Sequence, residues 1–190
     1  MTPHLLDAMI AKPLEGGPSF SLRHRIFRLA WSILWATTAR WLPGAASPVR
    51  VLLLRLFGAK VSWQAAIGPG VDIWYPPNLT LGARSTLADN VNCYNMAPII
   101  IGERVIVSQR VFLCAGSHDV DSADFQLVTA PITIGARAWI AAEAMIGPGV
   151  TVGEGAVLGA RAVAFSDLVP WTIYVGNPAK SVRKRRIFVS

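Results

Sequence analysis

The sequence is poor in the residues that most often build metal sites and disulfide frameworks. It contains two cysteines and three histidines among 190 residues. Cys93 and Cys114 are clustered neither with each other nor with histidine, which argues against a zinc site and against a disulfide scaffold. Two isolated thiols are typical of a protein in a reducing cytosol. We therefore expect a cytoplasmic protein without a metal site.

Long apolar runs are also lacking. The uncharged run from Leu29 to Ala39 has only 11 residues, whereas a helix needs about 20 to cross a bilayer. Residues 1–20 contain glycine and proline but show little periodicity, and they lack a convincing apolar core and cleavage site for a signal peptide. We expect these residues to form a flexible N-terminus.

Acidic residues are absent from a long N-terminal stretch. Between Gly16 and Val71 there is no Asp or Glu, and residues 176–190 form a second basic segment, so that the net charge is +7. Such a charge is compatible with nucleic acid, anionic lipid or an anionic substrate. No nucleic-acid-binding motif is present, and we expect no nucleic-acid partner.

What the sequence does contain is an internal repeat of six residues. Aliphatic or small residues recur at this spacing in four runs, with two residues inserted between the first and second and between the second and third. The runs are Val61, Ile67, Ile73; Leu81, Leu87, Cys93; Ile101, Val107, Leu113; and Ile134, Ile140, Ile146, Val152, Leu158, Ala164. Glycine often follows the aliphatic residue, as at Gly68, Gly82, Gly102, Gly135, Gly147, Gly153 and Gly159.

A six-residue period matches neither an α-helix nor a single exposed strand. It predicts a coil with flat sides, in which short strands carry aliphatic residues inward and glycine permits the tight corners. Stacked coils pair as parallel strands and bury a continuous column of side chains. The sequence therefore predicts an all-β solenoid over residues 59–175, preceded by a helical segment over residues 21–58 and followed by the basic tail, 176–190.

The helical segment has two interpretations. Residues 21–42 are predicted to form a helix with Arg25 and Arg28 on one side and an apolar surface that includes Trp31 and Trp35. Arginine and tryptophan suit a helix lying in a membrane interface. Equally, the apolar surface could cover an end or a side of the solenoid. A hinge, 41–48, and a short helix, 49–57, are expected to follow.

Several blocks of the sequence resemble a known family. "IGERVIVSQRVFL", "PITIGARAWIAAEAMIGPGVTVGEGAVLGARAV" and "VGNPAK" resemble the hexapeptide-repeat acyltransferases, and "IWYPPNLTLG" and "LCAGSHD" are similar to their colanic-acid and exopolysaccharide O-acetyltransferase branch. The resemblance covers about residues 49–180. It implies a left-handed parallel β-helix, a homotrimer, and an arm that protrudes from the coil near residues 114–131.

The resemblance also implies the acceptor side of an active site. His118 stands where the six-residue period stops and matches the catalytic histidine of the family. Imidazole can take a proton from an acceptor hydroxyl and then deliver it to the departing thiolate of coenzyme A. Asn95 and Asp119 are expected near a carbohydrate acceptor, although Asn95 could instead complete a turn. Adjacent residues of an extended chain point to opposite faces, so Asp119 is not an automatic partner of the imidazole.

For the acetyl-CoA donor, the resemblance implies a groove along the later coils. It carries over Trp139 beside the groove, Ala141, Ala142 and Ala160 where the pantetheine arm approaches the backbone, and Lys180 and Arg183 for the phosphates. Each could equally reflect coil geometry or a solvated tail. Where the family often has Ser or Thr followed by Lys, this chain has Phe165 and Ser166, which puts one coenzyme contact in doubt.

We therefore expect an acetyl-CoA-dependent O-acetyltransferase that acts on a sugar hydroxyl of an exopolysaccharide, a lipopolysaccharide or a lipid-linked precursor. Direct attack in a ternary complex is the expected route, with Cys114 as the rival nucleophile. Two alternatives stay open: N-acylation of an amino sugar, and a non-catalytic assembly module. Peripheral association with the inner face of the membrane is a further possibility. The hydratases that share the repeat need three histidines around a metal, and here His4 and His24 lie outside the repeats.

Overall fold

The computed structural model describes Leu14 and residues 19–186. The predicted flexible N-terminus lies almost entirely outside these residues, and so do the last four positions of the basic tail.

The described residues contain nineteen short strands, which follow one another around a coil. In chain order they are β1 (Lys60–Val61), β2 (Ala66–Ile67), β3 (Asp72–Ile73), β4 (Leu79–Leu81), β5 (Thr86–Leu87), β6 (Asn92–Tyr94), β7 (Ile99–Ile101), β8 (Ile106–Val107), β9 (Phe112–Cys114), β10 (Gly116–His118), β11 (Leu127–Thr129), β12 (Ile132–Ile134), β13 (Trp139–Ile140), β14 (Met145–Ile146), β15 (Thr151–Val152), β16 (Val157–Leu158), β17 (Val163–Ala164), β18 (Thr172–Val175) and β19 (Lys180–Lys184). A 3-10 turn, Pro76–Asn78, precedes β4.

The strands of the coil form three flat faces. The first face contains β1, β4, β7, β12 and β15; the second contains β2, β5, β8, β13, β16, β18 and β19; the third contains β3, β6, β9, β14 and β17. Neighbouring strands in a face are parallel, apart from the antiparallel pair β18 and β19. The coil makes about six turns. This architecture confirms the predicted solenoid.

The repeated aliphatic residues form the core. On the second face Ile67 pairs with Leu87, Leu87 with Val107, Val107 with Ile140, and Ile140 with Leu158. All five side chains are at most 1% exposed. Complete burial of each such side chain stabilises the fold by about 1.5–3 kcal/mol relative to exposure, so that the column is the main source of cohesion between successive turns.

The glycines of the repeat have a different role from the expected one. A Cβ atom on Gly102 would stand 2.8 Å from the backbone nitrogen of Ala136 in the next turn. The left-handed corner conformation comes two residues later, at Arg104 with φ 55°. Seven other non-glycine corners share it: Arg84, Asn90, Arg110, Arg137, Glu143, Arg161 and Trp171. The glycines that follow the aliphatic residues are therefore required for close stacking of the turns, whereas Gly70, Gly149 and Gly155 are glycines that do adopt the left-handed conformation.

Two helices precede the coil. Helix α1 (Leu22–Leu34) begins after Ser21, whose hydroxyl accepts a hydrogen bond from the backbone N–H of His24, and it continues as a π-helical turn, Trp35–Ala39. A 3-10 turn, Gly44–Ala46, leads into α2 (Ser47–Leu56). These helices agree with the expected ones to within a few residues.

Helix α1 packs against the first turn of the coil through its tryptophans. Trp31 and Trp35 are 1% and 2% exposed. Their indole N–H groups donate to the carbonyl oxygens of Ile73, at 2.7 Å, and Val71, at 2.9 Å. These two tryptophans therefore cover the solenoid and do not supply a membrane surface.

The other side of α1 carries an exposed apolar stripe. Leu22, Ile26, Leu29 and Ile33 lie on it, each more than half exposed. One face of the helix therefore covers the solenoid. The other face is exposed and leaves the membrane-interface interpretation open. Among the residues that the structure describes, no helix is both long enough and apolar enough to span a membrane.

Two segments depart from the simple coil. Strands β10 and β11 form an antiparallel hairpin in which His118 pairs with Leu127, and this hairpin is the expected protruding arm. In the basic tail, β19 pairs antiparallel with β18. The described part of the tail is therefore a strand that adds to the second face, and not simply a solvated segment.

Candidate active site

His118 is held at the base of the arm by contacts with Phe125. Its Nδ1 atom lies 3.0 Å from the carbonyl oxygen of Phe125, and its ring stacks on the Phe125 ring at 4.5 Å with an interplanar angle of 12°. A carbonyl oxygen can only accept, so Nδ1 carries the proton. The lone pair of the neutral imidazole then lies on Nε2, which makes this atom available as a base.

Phe125 was not predicted from the sequence. It lies in the irregular segment between β10 and β11 and has a left-handed backbone with φ 50°, which is unusual for an aromatic residue. Nothing in the six-residue period marks it. Asp119 does not take this orienting role, because its carboxylate accepts instead from the backbone N–H of Asp121 at 3.1 Å. An acceptor contact by Asp119 stays a prediction.

The imidazole opens into a cleft of about 670 Å³, which we call the His118 cleft. Its volume is within the usual range for small-molecule sites, about 300–1,000 Å³. The cleft combines residues of α1, the corners after β3 and β6, and the arm. They are Ser19, Phe20, Arg25, Arg28, Trp74, Tyr94, Met96, His118 and Leu127.

Aromatic contacts fix one wall of the His118 cleft. The rings of Trp74 and Tyr94 meet edge to face at 5.9 Å, and the guanidinium of Arg28 lies 3.9 Å from the centre of the Trp74 ring. Burial raises the pKa of the Tyr94 hydroxyl, and the neighbouring Cys114 adds to the rise. Tyr94 is therefore neutral at physiological pH and can donate a hydrogen bond.

Asn95 lies under this wall and not in the cleft. Its side chain is fully buried. Its Oδ1 accepts from the backbone N–H of Tyr75 at 3.0 Å, and its Nδ2 donates to the Tyr75 carbonyl at 2.7 Å. These contacts favour the turn-completing role over direct contact with an acceptor.

The two cysteines are both buried and free. Cys114 Sγ donates to the carbonyl oxygen of Gly116 at 3.1 Å, and the residue is not part of the lining of the His118 cleft. For Cys93, burial first and Asp72 second raise the pKa of the thiol to about 12. Neither thiol has the exposed, electropositive surroundings that activate a nucleophilic cysteine.

A second and larger cavity lies along the second face of the coil. We call it the arginine groove; its volume is about 1290 Å³. Trp139 stands beside it, with the indole N–H donating to the hydroxyl of Ser108 at 3.0 Å. The lining residues are Arg104, Ile106, Ser108, Gln109, Arg137, Ala138, Trp139, Ala141, Ala142, Val157, Gly159, Ala160, Trp171, Ile173, Arg183, Arg185 and Arg186.

The groove brings together five of the six residues expected to contact the donor, namely Trp139, Ala141, Ala142, Ala160 and Arg183. The sixth, Lys180, is exposed at the start of β19 opposite Val175 and does not line the groove. At the doubtful family position, Phe165 packs against Gly147: a Cβ atom on that glycine would lie 2.3 Å from the phenyl ring.

Four arginines of the groove were missed from the sequence: Arg104, Arg137, Arg185 and Arg186. Arg185 donates to the carbonyl oxygens of Arg137 and Gly155, both at 3.0 Å, which ties the end of β19 to the coil. Arg137 is paired with Glu154 at 3.0 Å. The two at coil corners, Arg104 and Arg137, could not be recognised as groove residues from the sequence, because only the fold brings them next to the tail.

The chemistry of the two cavities is complementary. The His118 cleft offers a base beside an aromatic wall, whereas the arginine groove offers small residues for close approach and guanidinium groups for phosphate. Within the described residues, no three His, Cys, Asp or Glu side chains lie together in a way that could hold a metal ion.

Comparison with known proteins identifies the family of the chain. Residues 131–164 match the model of the bacterial transferase hexapeptide family (six repeats). The chain is 42% identical over 176 residues, 93% of either chain, to a provisionally named colanic acid biosynthesis acetyltransferase, WcaF, of Escherichia coli (strain K12).

Solved structures give the same result. A hexapeptide-repeat-containing acetyltransferase of Vibrio cholerae, complexed with acetyl coenzyme A, has 26% identity and a TM-score of 0.77, with 88% of this chain and 91% of that chain covered. A galactoside acetyltransferase in complex with coenzyme A has 26% identity and a TM-score of 0.78, with 87% and 84% covered.

Fold and relatives together thus define a parallel β-solenoid enzyme of the acetyltransferase type. The chain belongs to the hexapeptide-repeat acetyltransferases, in the group that contains WcaF.

Proposed function

We propose that the protein is an acetyl-CoA-dependent O-acetyltransferase that acts on a sugar hydroxyl of an exopolysaccharide, a lipopolysaccharide or a lipid-linked glycan precursor. The observation that carries this proposal is the hydrogen bond between His118 Nδ1 and the Phe125 carbonyl, at 3.0 Å. It leaves Nε2 as a base in a cleft of a size that suits a saccharide. The name of the relative WcaF supports a polysaccharide acceptor.

The reaction would proceed by direct transfer in a ternary complex. Nε2 of His118 takes the proton of the acceptor hydroxyl while its oxygen attacks the acetyl carbonyl, and a tetrahedral intermediate forms. When this intermediate collapses, the carbon–sulfur bond breaks and the imidazolium gives its proton to the thiolate. The Phe125 carbonyl stabilises the positive ring between these two transfers, because it accepts from the opposite nitrogen.

The donor would lie in the arginine groove. The small side chains of Ala141, Ala142 and Ala160 leave room for the pantetheine arm, while Trp139 offers an apolar flank. Arg183 and its neighbours would bind the phosphates through charge-assisted hydrogen bonds. Solved relatives with bound coenzyme A support this assignment.

We further propose a homotrimer. On one chain the His118 cleft and the arginine groove have no lining residue in common among those described. A second copy is therefore a simple way to bring a donor and a base together. Exposed apolar side chains on the second face, such as Ile106 and Trp139, at 51% and 45% exposure, would be covered by such an assembly.

The function is tested by measuring acetyl-CoA binding by calorimetry and then thiol release with a panel of oligosaccharides and amino sugars. We expect binding and turnover with a hydroxyl acceptor. Turnover restricted to free amines would replace the proposal by N-acylation. Absence of acetyl-CoA binding by the folded protein would reduce the repeats to a scaffold.

Membrane association is proposed for the outer face of α1. The stripe of Leu22, Ile26, Leu29 and Ile33 is exposed and lies in a basic stretch of the chain, because no acidic residue occurs between Gly16 and Val71. Such a basic, amphipathic helix suits a surface of anionic lipid. Together with the two free thiols, this favours a cytoplasmic enzyme at the inner face of the membrane.

Vesicle sedimentation tests this proposal. We expect binding to vesicles that contain phosphatidylglycerol, weaker binding to phosphatidylcholine alone, and loss of binding for the double variant Ile26→Glu, Ile33→Glu. Equal, negligible binding of both proteins would contradict it. Dissociation of the oligomer by the same variant, seen by sedimentation velocity, would assign the stripe to a subunit interface instead.

A further inference from the structure

The His118 cleft contains two cations that the proposed reaction does not use. Arg25 and Arg28 are three residues apart on α1, so they project from the same side of the helix, and both line the cleft that contains His118. Among the described residues the lining includes these two guanidinium groups and no carboxylate.

Neither arginine has an anionic partner in the part of the chain that the structure describes. The ion pairs there are Arg40 with Asp72, Arg110 with Glu143, Arg137 with Glu154, and Arg161 with Glu143. Arg28 and Arg25 are absent from all four. The charge on this wall of the cleft is therefore not neutralised by the described protein.

Arg28 is also held in place by Trp74, although one of its nitrogen atoms has no hydrogen-bond partner. Its guanidinium stacks on Trp74 at 3.9 Å, while its Nε atom is buried and has no hydrogen-bond partner in the described structure. Burial lowers the pKa of this guanidinium below its ordinary value. A cation removed from water without a partner is costly, and an anion that entered the cleft would offset that cost.

Arg50 shows what a structural arginine looks like in the same region. It is fully buried, and its guanidinium donates to the carbonyl oxygens of Ala39 at 2.9 Å and of Pro43 and Ile67 at 3.2 Å, and also to Leu42. The chain thus supplies four carbonyl acceptors to Arg50; Arg40, whose Nε atom is also buried without a hydrogen-bond partner, has Asp72 as an ion-pair partner at 3.9 Å. The chain supplies none to the Nε atom of Arg28, a residue that lines the cleft containing His118.

The geometry points to an acceptor that carries an anionic group, a phosphate or a carboxylate, bound by Arg28 and Arg25 while its sugar hydroxyl lies at His118. This inference rests on the proposed function and adds the class of acceptor. A guanidinium fixed on one face by an indole presents its N–H groups in a plane, which suits the paired oxygens of either anion. A neutral sugar would leave both cations without a partner.

The test compares three acceptors built on one sugar: the methyl glycoside, the glycosyl phosphate and the uronic acid glycoside. The kcat/KM of each is measured for wild type, Arg28→Gln and Arg25→Gln. Arg23→Gln is the matched control, because Arg23 is exposed on the same helix and does not line the cleft. Acetyl-CoA binding, measured by calorimetry, confirms that each variant is folded.

We expect wild type and Arg23→Gln to prefer at least one anionic acceptor over the neutral one by tenfold or more. In Arg28→Gln this preference falls toward one, and in Arg25→Gln it falls partly; Arg25 is exposed, so its variant tests the inference even if Arg28→Gln fails to fold. The favoured acceptor identifies the source: the phosphate indicates a phosphate-linked sugar, and the carboxylate a uronic acid.

Equal kcat/KM for neutral and anionic acceptors in wild type would overturn the inference and leave O-acetylation intact. So would an anionic preference that survives both substitutions, because other residues would then provide it. Failure of wild type to acetylate these three acceptors and every member of the oligosaccharide panel, despite acetyl-CoA binding, would contradict the proposed function itself.

Discussion

The two cavities of this enzyme are built in different ways. The arginine groove consists almost entirely of repeat positions on one face of the coil, completed by β19. The His118 cleft consists mainly of residues outside the repeat, from α1, the corner at Trp74 and the arm, together with Tyr94 at the end of β6 and Met96 after it. Because a repeat is constrained by stacking, the groove is a product of the fold, whereas the cleft is free to vary with the acceptor.

The largest effect that would test the difference between the two cavities is expected from removal of the base in the His118 cleft. His118→Ala should lower kcat by about 100- to 10,000-fold, the usual contribution of a general base, while acetyl-CoA affinity stays within twofold of wild type because the arginine groove is untouched. Steady-state kinetics and calorimetry on one preparation measure both quantities.

Asp119→Asn is the matched control for this prediction. The Asp119 carboxylate bonds to the backbone of Asp121 and not to the imidazole, so its loss should change kcat much less than loss of His118. An equal loss of kcat in both variants would show that Asp119, and not the Phe125 carbonyl, orients the His118 ring or stabilises its positively charged form.

The second prediction concerns the basic tail. It distinguishes Arg183 from Lys180, which the sequence analysis had both assigned to the phosphates of acetyl-CoA. Arg183→Gln should raise the KM for acetyl-CoA by about fivefold, the effect of losing one exposed ionic contact of ~1 kcal/mol. Lys180→Gln should change it by less than twofold, since Lys180 lies outside the groove. Both values come from initial rates at saturating acceptor, in low and in high salt.

The reverse order of effects would mean that the groove on one chain is not where the phosphates bind. Equal effects would point to an unspecific attraction by the basic tail as a whole. Either result would weaken the division between a donor cavity made by the coil and an acceptor cavity made by its interruptions.

The division also explains what could be predicted from the sequence. The six-residue period reports inward positions directly, and this is why it predicted the solenoid. The arm and the groove residues Trp139, Ala141 and Ala160 came instead from the resemblance to the hexapeptide-repeat acyltransferases. Phe125 and Trp74 have no period to mark them: Phe125 lies in the irregular tip of the arm, and the role of Trp74 depends on contacts with Arg28 and Tyr94, which are distant in sequence. Glycine was misinterpreted for a related reason: its need for space arises between turns, which a single turn of sequence does not display.

A smaller effect is expected at the floor of the His118 cleft. A Cβ atom on Gly116 would stand 2.7 Å from Met96 Sδ, and Met96 lines the cleft. Gly116→Ala should displace this flexible side chain, lower stability by about 1 kcal/mol and raise the KM for the acceptor severalfold without changing that for acetyl-CoA. Denaturant unfolding and kinetics measure these changes.

Gly44→Ala is the matched substitution, because a Cβ atom on Gly44 would meet nothing within 4 Å. It should leave both KM values unchanged and cost no stability. A change in acetyl-CoA KM for Gly116→Ala, with the acceptor unaffected, would place the floor of the cleft in the donor path.

The smallest effect is expected at Cys114, where the coil meets the arm. If transfer is direct, Cys114→Ala should keep kcat within about threefold of wild type, because it removes the weak hydrogen bond from the thiol to the Gly116 carbonyl and the packing of one buried sulfur atom, but no reacting group. Mass spectrometry of enzyme quenched during turnover should show no acetyl group on this residue. Cys93 serves as an internal control, since it is fully buried and the pKa of its thiol is raised to about 12. An acetylated Cys114 that forms and decays at the rate of turnover, with Cys93 unmodified, would replace direct transfer by a two-step route and make the boundary between coil and arm the reacting centre.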